Sequence, residues 1–213
     1  ASSWVQVGSV SNEATVGRIN TALPVGITST WDDENTIDVV VPNGTTLESR
    51  TEEAVLLGAN TAAIGVDGRW EIVQFVNAEA ISPTQYRLTN LLRGRRGTEH
   101  LVGTSQVNDY FVLVSGPGII RLPLQTGQIG QSMVYRAVTF GSQFAVATDV
   151  PFTGNGVALE TFSPVHVRGE RDSSEDLTIT WIRRDRLHQT MRSGIELPNS
   201  EDDESYSIDI LDG

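Results

Sequence analysis

Cysteine is absent from the 213 residues, and so is lysine. The first absence excludes disulfides and thiolate metal sites. The second leaves 15 arginines and three histidines as the cationic side chains. No apolar run reaches the roughly 18 residues a membrane-spanning helix needs, so no transmembrane segment is expected. Residues 1–20 lack the basic start and long apolar core of a signal peptide. Catalytic patterns are missing too. There is no Gly-x-Ser-x-Gly elbow, no phosphate-binding Gly-x-x-x-x-Gly-Lys loop and no dinucleotide fingerprint. His100, His166 and His188 lie far apart, with no His-Glu-x-x-His spacing. The expectation is a protein that is not an enzyme, with no cofactor and no metal. The 27 acidic residues outweigh the 15 basic ones by −12, which disfavours general binding to nucleic acid or to acidic membrane surfaces. No sequence-specific nucleic acid partner is expected.

What is present reads mostly as short strands. Residues 4–7, 36–41, 62–65, 70–76, 86–92, 107–114, 132–140 and 157–162 are apolar or β-branched runs. They are separated by turn signals such as Pro42-Asn43-Gly44, Asp67-Gly68 and Gly116-Pro117-Gly118. The recurrence of turns every eight to fifteen residues favours barrels or sandwiches over βαβ units. One short helix is expected within residues 49–58. Ser49-Arg50-Thr51-Glu52 matches a capping box and Gly58 supplies a stop. The fold class is therefore mostly β: a β-barrel or sandwich-like domain with one short helix, spanning residues 1–162.

The text changes at Ser163-Pro164. Leu177, Ile179 and Trp181 alternate on one strand face, and Tyr206, Ile208 and Ile210 alternate on another. The Trp and Tyr placement resembles the opening of a fibronectin type III sandwich. Residues 163–213 are then its N-terminal part, short of the roughly seven strands that architecture uses. Ala1-Ser2-Ser3-Trp4, without a Met, reads as a cut inside a longer protein.

The most specific stretch is Leu91-Leu92-Arg93-Gly94-Arg95-Arg96-Gly97-Thr98-Glu99. A fifth of the arginines sit on a glycine-hinged turn in an acidic chain. Arg93, Arg95, Arg96 and Glu99 are candidates for contact with another protein, because guanidinium forks suit carboxylates. The competing reading is an internal ion pair with Glu99 or Glu79 that shapes the loop. With the preceding Trp70-Glu71-Ile72-Val73-Gln74-Phe75, this stretch resembles a segment of the tail-tip hub proteins of gene transfer agents and related long-tailed phages. That resemblance implies a structural virion component at the tail tip or baseplate. It implies other tail and baseplate proteins as partners, a homo-oligomer (a trimer) in the particle, and assembly in the bacterial cytoplasm into an extracellular particle.

Two alternatives remain open. One is a carbohydrate-binding module for host attachment, with a host-surface glycan as partner; Trp31, Asp32 and Asp33 are its candidate sugar contacts. The other is a cell-envelope hydrolase. The acidic runs Asp32-Asp33-Glu34 and Glu201-Asp202-Asp203-Glu204 lack the spacing of a calcium loop and read as solvated loop charge.

Overall fold

The computed structural model describes residues 4–42, 44–162, 164–185, 200 and 203–208. The chain is mostly β, as the run of short strands implies. It sorts into two compact units: residues 10–119 with 161–213, and residues 1–9 with 120–160. The passage from one to the other at 160/161 falls beside the expected boundary at 162/163. Residues 163–213, however, group with the first unit and residues 120–160 do not.

The first unit holds a closed six-stranded barrel. Its strands are β1 Val16–Ile19, β2 Ile37–Val40, β3 Thr61–Gly65, β4 Glu71–Ser82, β5 Gln85–Leu92 and β6 Tyr110–Leu113. Around the barrel they run β1-β2-β5-β4-β3-β6, all antiparallel, and β6 returns to β1. Alternation places Ile37, Val39, Ile64, Phe75, Leu88 and Phe111 in a single core. Gly17 lets the barrel close: a β-carbon there would overlap the Val40 carbonyl oxygen on the neighbouring strand. That glycine also breaks the apolar pattern, which hides β1 from a reading of the sequence. Residues 4–7, expected as the first strand, form none.

The Asp67-Gly68 turn joins β3 to β4 as expected, with the Arg69 N–H donating to the Val66 carbonyl at 3.0 Å. In β5, Asn90 takes a left-handed φ of 54°. The strand's phase shifts there, so Leu88 and Leu91 both enter the barrel core. Leu92 faces out and packs with Val55 and Val76 into a second cluster that includes half-buried Trp31.

The helix is α1, Glu52–Leu56. Its cap is Thr51, whose hydroxyl accepts the Ala54 N–H at 3.2 Å, rather than Ser49. Ser49 instead accepts the Ala78 N–H from β4 at 3.0 Å. The cap is therefore displaced by two residues, and with Ala54 at the third helical position the expected capping box is not formed.

The second unit contains β7 Ser132–Tyr135 and β8 Val150–Thr153, a two-stranded antiparallel sheet. The strand expected over residues 157–162 is instead a single 3₁₀ turn, Val157–Leu159, entered through left-handed Gly156. Pro151 disguises β8 in the sequence, since proline lacks the N–H that a ladder uses.

In the first unit, β9 Val165–Arg171 and β10 Leu177–Ile182 form a hairpin. Leu177, Ile179 and Trp181 are half-buried while their neighbours are exposed, the alternation expected of one face. Residues 203–208 form no strand, although the Tyr206 ring lies 4.8 Å from that of Trp181. Ile210 and His188 lie outside the described residues, as do Glu201 and Asp202.

Candidate functional site: the arginine loop

The loop begins where β5 ends, and its first arginine points inward. Arg93 is 1% exposed. Its Nε and Nη2 donate to the two carboxylate oxygens of Glu71 at 2.7 and 3.0 Å. Nη1 donates to Asp32 Oδ2 at 2.9 Å, and Nη2 also reaches the Pro24 carbonyl at 3.0 Å. Glu71, itself 1% exposed, accepts the Gly94 N–H at 3.2 Å as well. Asp32 accepts the backbone and side-chain N–H groups of Asn35 at 3.1 and 2.9–3.0 Å. Backbone bonds between Asp32 and Leu91, at 2.8 and 3.1 Å, anchor this loop to β5. Gly26 completes the enclosure, because a β-carbon there would collide with Asp32, Arg93 and Asn35.

One guanidinium thus ties together the start of β4, the end of β5 and the loop between β1 and β2. The bidentate fork to Glu71 gives it direction as well as attraction. Such a group is costly to break rather than cheap to form. Removing one member strands a desolvated charge, at about 3–5 kcal/mol.

This burial corrects two sequence expectations. Arg93 cannot contact another protein as the chain is folded, and Asp32 is 2% exposed and cannot reach a sugar. Trp31 packs on the cluster of Val55, Val76 and Leu92, and of the sugar trio only Asp33 is exposed. The internal pair is present for Arg93, with Glu71 and Asp32 as partners in place of Glu99 or Glu79. Glu99 bonds Arg184, and Glu79 lies opposite Arg87 across β4 and β5.

Beyond Arg93 the chain takes positive φ three times, at Gly94 (57°), Arg96 (57°) and Gly97 (83°). At Gly94 a β-carbon would press on the Glu99 backbone. Arg96 holds a conformation that costs a non-glycine residue on the order of 1 kcal/mol. Arg95 is half-buried and donates from Nε to Gln74 Oε1 at 3.0 Å. Gln74 in turn donates to the Val55 and Ala59 carbonyls at 2.5 and 3.1 Å, coupling the loop to α1. Burial lowers the Arg95 guanidinium from its ordinary value. The neighbouring Arg184 and Arg96 push the same way, and Glu99 opposes them. Arg184 also lies 5.0 Å from the Phe162 ring. A shallow hollow lined by Leu56, Leu57, Thr61, Gln74, Arg95 and Arg96 lies beside the loop.

Glu71, Asn35, Gln74 and Arg184 escape a sequence reading, since nothing local pairs Asp32 with an arginine 61 residues away. The Asp32-x-x-Asn35 spacing is the one local signal, a turn in which the carboxylate accepts a backbone N–H. Among the described residues no group of histidines and carboxylates could hold a metal ion.

A family model described as Rcc01698-like, C-terminal, matches residues 14–112. That span covers β1 to β5 and most of β6, so the likeness follows the barrel and contains the whole Arg93 clamp. No curated protein and no solved structure matches the chain.

Proposed function

We propose that this chain is a structural, non-enzymatic part of a phage-type tail tip or baseplate hub, joining the tail tube to distal host-recognition elements. The carrying observation is the use of the Leu91–Glu99 stretch. The residues that most resemble hub proteins are spent on architecture, clamping three barrel segments through Arg93. The match of residues 14–112 to a family model places a domain-sized likeness over the same barrel. In this reading other tail and baseplate proteins are partners and the chain is a homo-oligomer in the virion. Residues from about 163 begin a fibronectin type III-like sandwich, which the alternation of Leu177, Ile179 and Trp181 supports. Immunogold labelling of purified tailed particles with an antibody against the barrel tests the proposal. Label at the distal tail end is the expected result. Label on the head, or no label on particles made by cells that express the chain, would refute it.

A further inference from the structure

The second unit, residues 1–9 and 120–160, differs from the rest of the chain in charge and in burial. Arg121 and Arg136 balance Asp149 and Glu160, so the unit is neutral and the whole −12 lies on the other unit. Arg136 and Asp149 neutralise each other directly, and the guanidinium lies 4.6 Å from the Trp4 ring and 4.9 Å from that of Phe144. Between these two residues the β7–β8 connection carries no charge at all.

None of the unit's described apolar side chains belongs to a buried core. Fifteen large apolar side chains are exposed instead, among them Leu122, Val134, Phe140, Phe144, Val146 and Phe152. Phe140 is fully exposed beside left-handed Gly141, on a turn closed by the Ser142 N–H to the Thr139 carbonyl at 2.9 Å. The three phenylalanines alone present on the order of 400 Å², since each ring residue buries about 150–250 Å² when covered. Exposed apolar area of that order matches the largest patch on a typical monomer. With the aliphatic side chains added, it approaches the roughly 800 Å² per partner of a stable interface. An isolated two-stranded sheet is marginal in water, and both outer edges of β7 and β8 are open.

We infer that this unit is the surface through which copies of the chain associate, hairpin unit against hairpin unit. Charge selects the occupant. An oppositely charged partner would be drawn to the acidic unit rather than to the neutral one. A second copy, carrying the same −12, is repelled everywhere except at a face without net charge. A self-complementary contact brings each patch against itself, so any net charge on it would count against its own image. The neutral apolar unit meets that condition. The inference stands on charge and exposure, and holds whether or not the chain belongs to a tail.

Analytical ultracentrifugation of the intact chain tests it, over a wide concentration range and at low salt and about 1 M NaCl, where the Debye length is about 3 Å. The expected result is a concentration-dependent oligomer that survives high salt. Phe140→Asp combined with Phe152→Asp should weaken association at least about tenfold, from the apolar burial each ring loses. Thermal unfolding of the barrel should stay unchanged. Phe140→Asp alone is the second variant, since that side chain touches little within its own chain. A chain that stays monomeric at the highest concentration overturns the inference, as does an oligomer dispersed by salt or unaffected by both variants. A monomer that co-sediments with phosphatidylcholine vesicles overturns it in favour of a lipid surface.

Discussion

The barrel unit and the hairpin unit solve the problem of stability in opposite ways. In the barrel, Phe75, Phe111, Ile64 and their neighbours are removed from water, and the buried Asp38, Asn60, Glu71, Gln74 and Asp109 side chains are hydrogen-bonded. Its largest fully buried side chain is Arg93, held by two carboxylates and a carbonyl. In the hairpin unit fifteen large apolar side chains are exposed among the described residues, and Arg136 pairs with an exposed Asp149. The contrast separates a region that is stable by its own packing from one whose packing must be supplied. Amide exchange and mutation should therefore divide along the same line.

The largest effect is expected at the clamp. Arg93→Met keeps an unbranched apolar stem but leaves Asp32 and Glu71 buried without their cation. The barrel should lose about 3–5 kcal/mol, measured by chemical denaturation followed through tryptophan fluorescence. Protection in β4 and β5 should fall with it, while exchange in β7 and β8 stays as it was. A loss under about 1 kcal/mol would show that the clamp is not what holds the barrel loops, and the contrast with the hairpin unit would lose its sharpest element.

Acid should reveal the same division through two Arg–Asp pairs. Burial raises the Asp109 carboxyl, but two hydrogen bonds from Arg69, at 2.6 and 2.7 Å, and one from the Gln106 N–H outweigh it. They hold Asp109 below its ordinary value. Its contribution is therefore complete above the unfolded value of about 4. It is lost as pH falls through the lower folded value. Asp109→Asn should flatten the acid limb of a stability-against-pH curve. Asp149 is also held low, by the hydrogen bond and charge of Arg136. The Asp149 side chain is 53% exposed against 5% for Asp109, and exposed contacts contribute little, so Asp149→Asn should leave the limb unchanged. Equal effects from both variants would erase the distinction.

The strands were legible because alternation is local. The runs at residues 36–41, 86–92 and 177–181 carry their period within a few residues; the barrel uses the first two and the β9–β10 hairpin the third. Closure was not legible. The pairing of β1 with β6 joins Gly17 to Phe111, and the same glycine, which lets β1 approach Val40 of β2, weakens the apolar signal of its own strand. The arginine loop was legible as a special segment but not in its role. Three arginines in a row of five positions look alike in sequence. Their fates diverge because Arg93 directly follows a strand whose last residues are buried on both faces, while Arg95 and Arg96 follow a left-handed turn. The partners of Arg93 come from Glu71 and Asp32, 22 and 61 residues away. The sugar reading of Trp31 and Asp32 failed for the same reason: an acidic loop beside a tryptophan looks solvated until its distant cation is known.

The smallest expected effect tests the one helix, at the edge of the barrel unit. Both Ser49 and Thr51 precede it, and a capping box assigns the cap to Ser49. The structure gives it to Thr51, through the bond from Ala54 N–H at 3.2 Å. Thr51→Ala should cost about 1 kcal/mol, the usual loss for a removed cap. The consequence should travel further than a frayed turn, because Gln74 donates to the Val55 carbonyl of α1 while accepting from Arg95. Amide exchange should therefore rise in α1 and in the loop after Gly94 together. Ser49→Ala removes a different bond, to the Ala78 N–H, and should loosen β4 near Ala78 without disturbing α1. If Ser49→Ala frays the helix and Thr51→Ala does not, the cap belongs to Ser49 after all. The hydrogen-bond route from α1 through Gln74 to the arginine loop would then start two residues earlier than the structure places it.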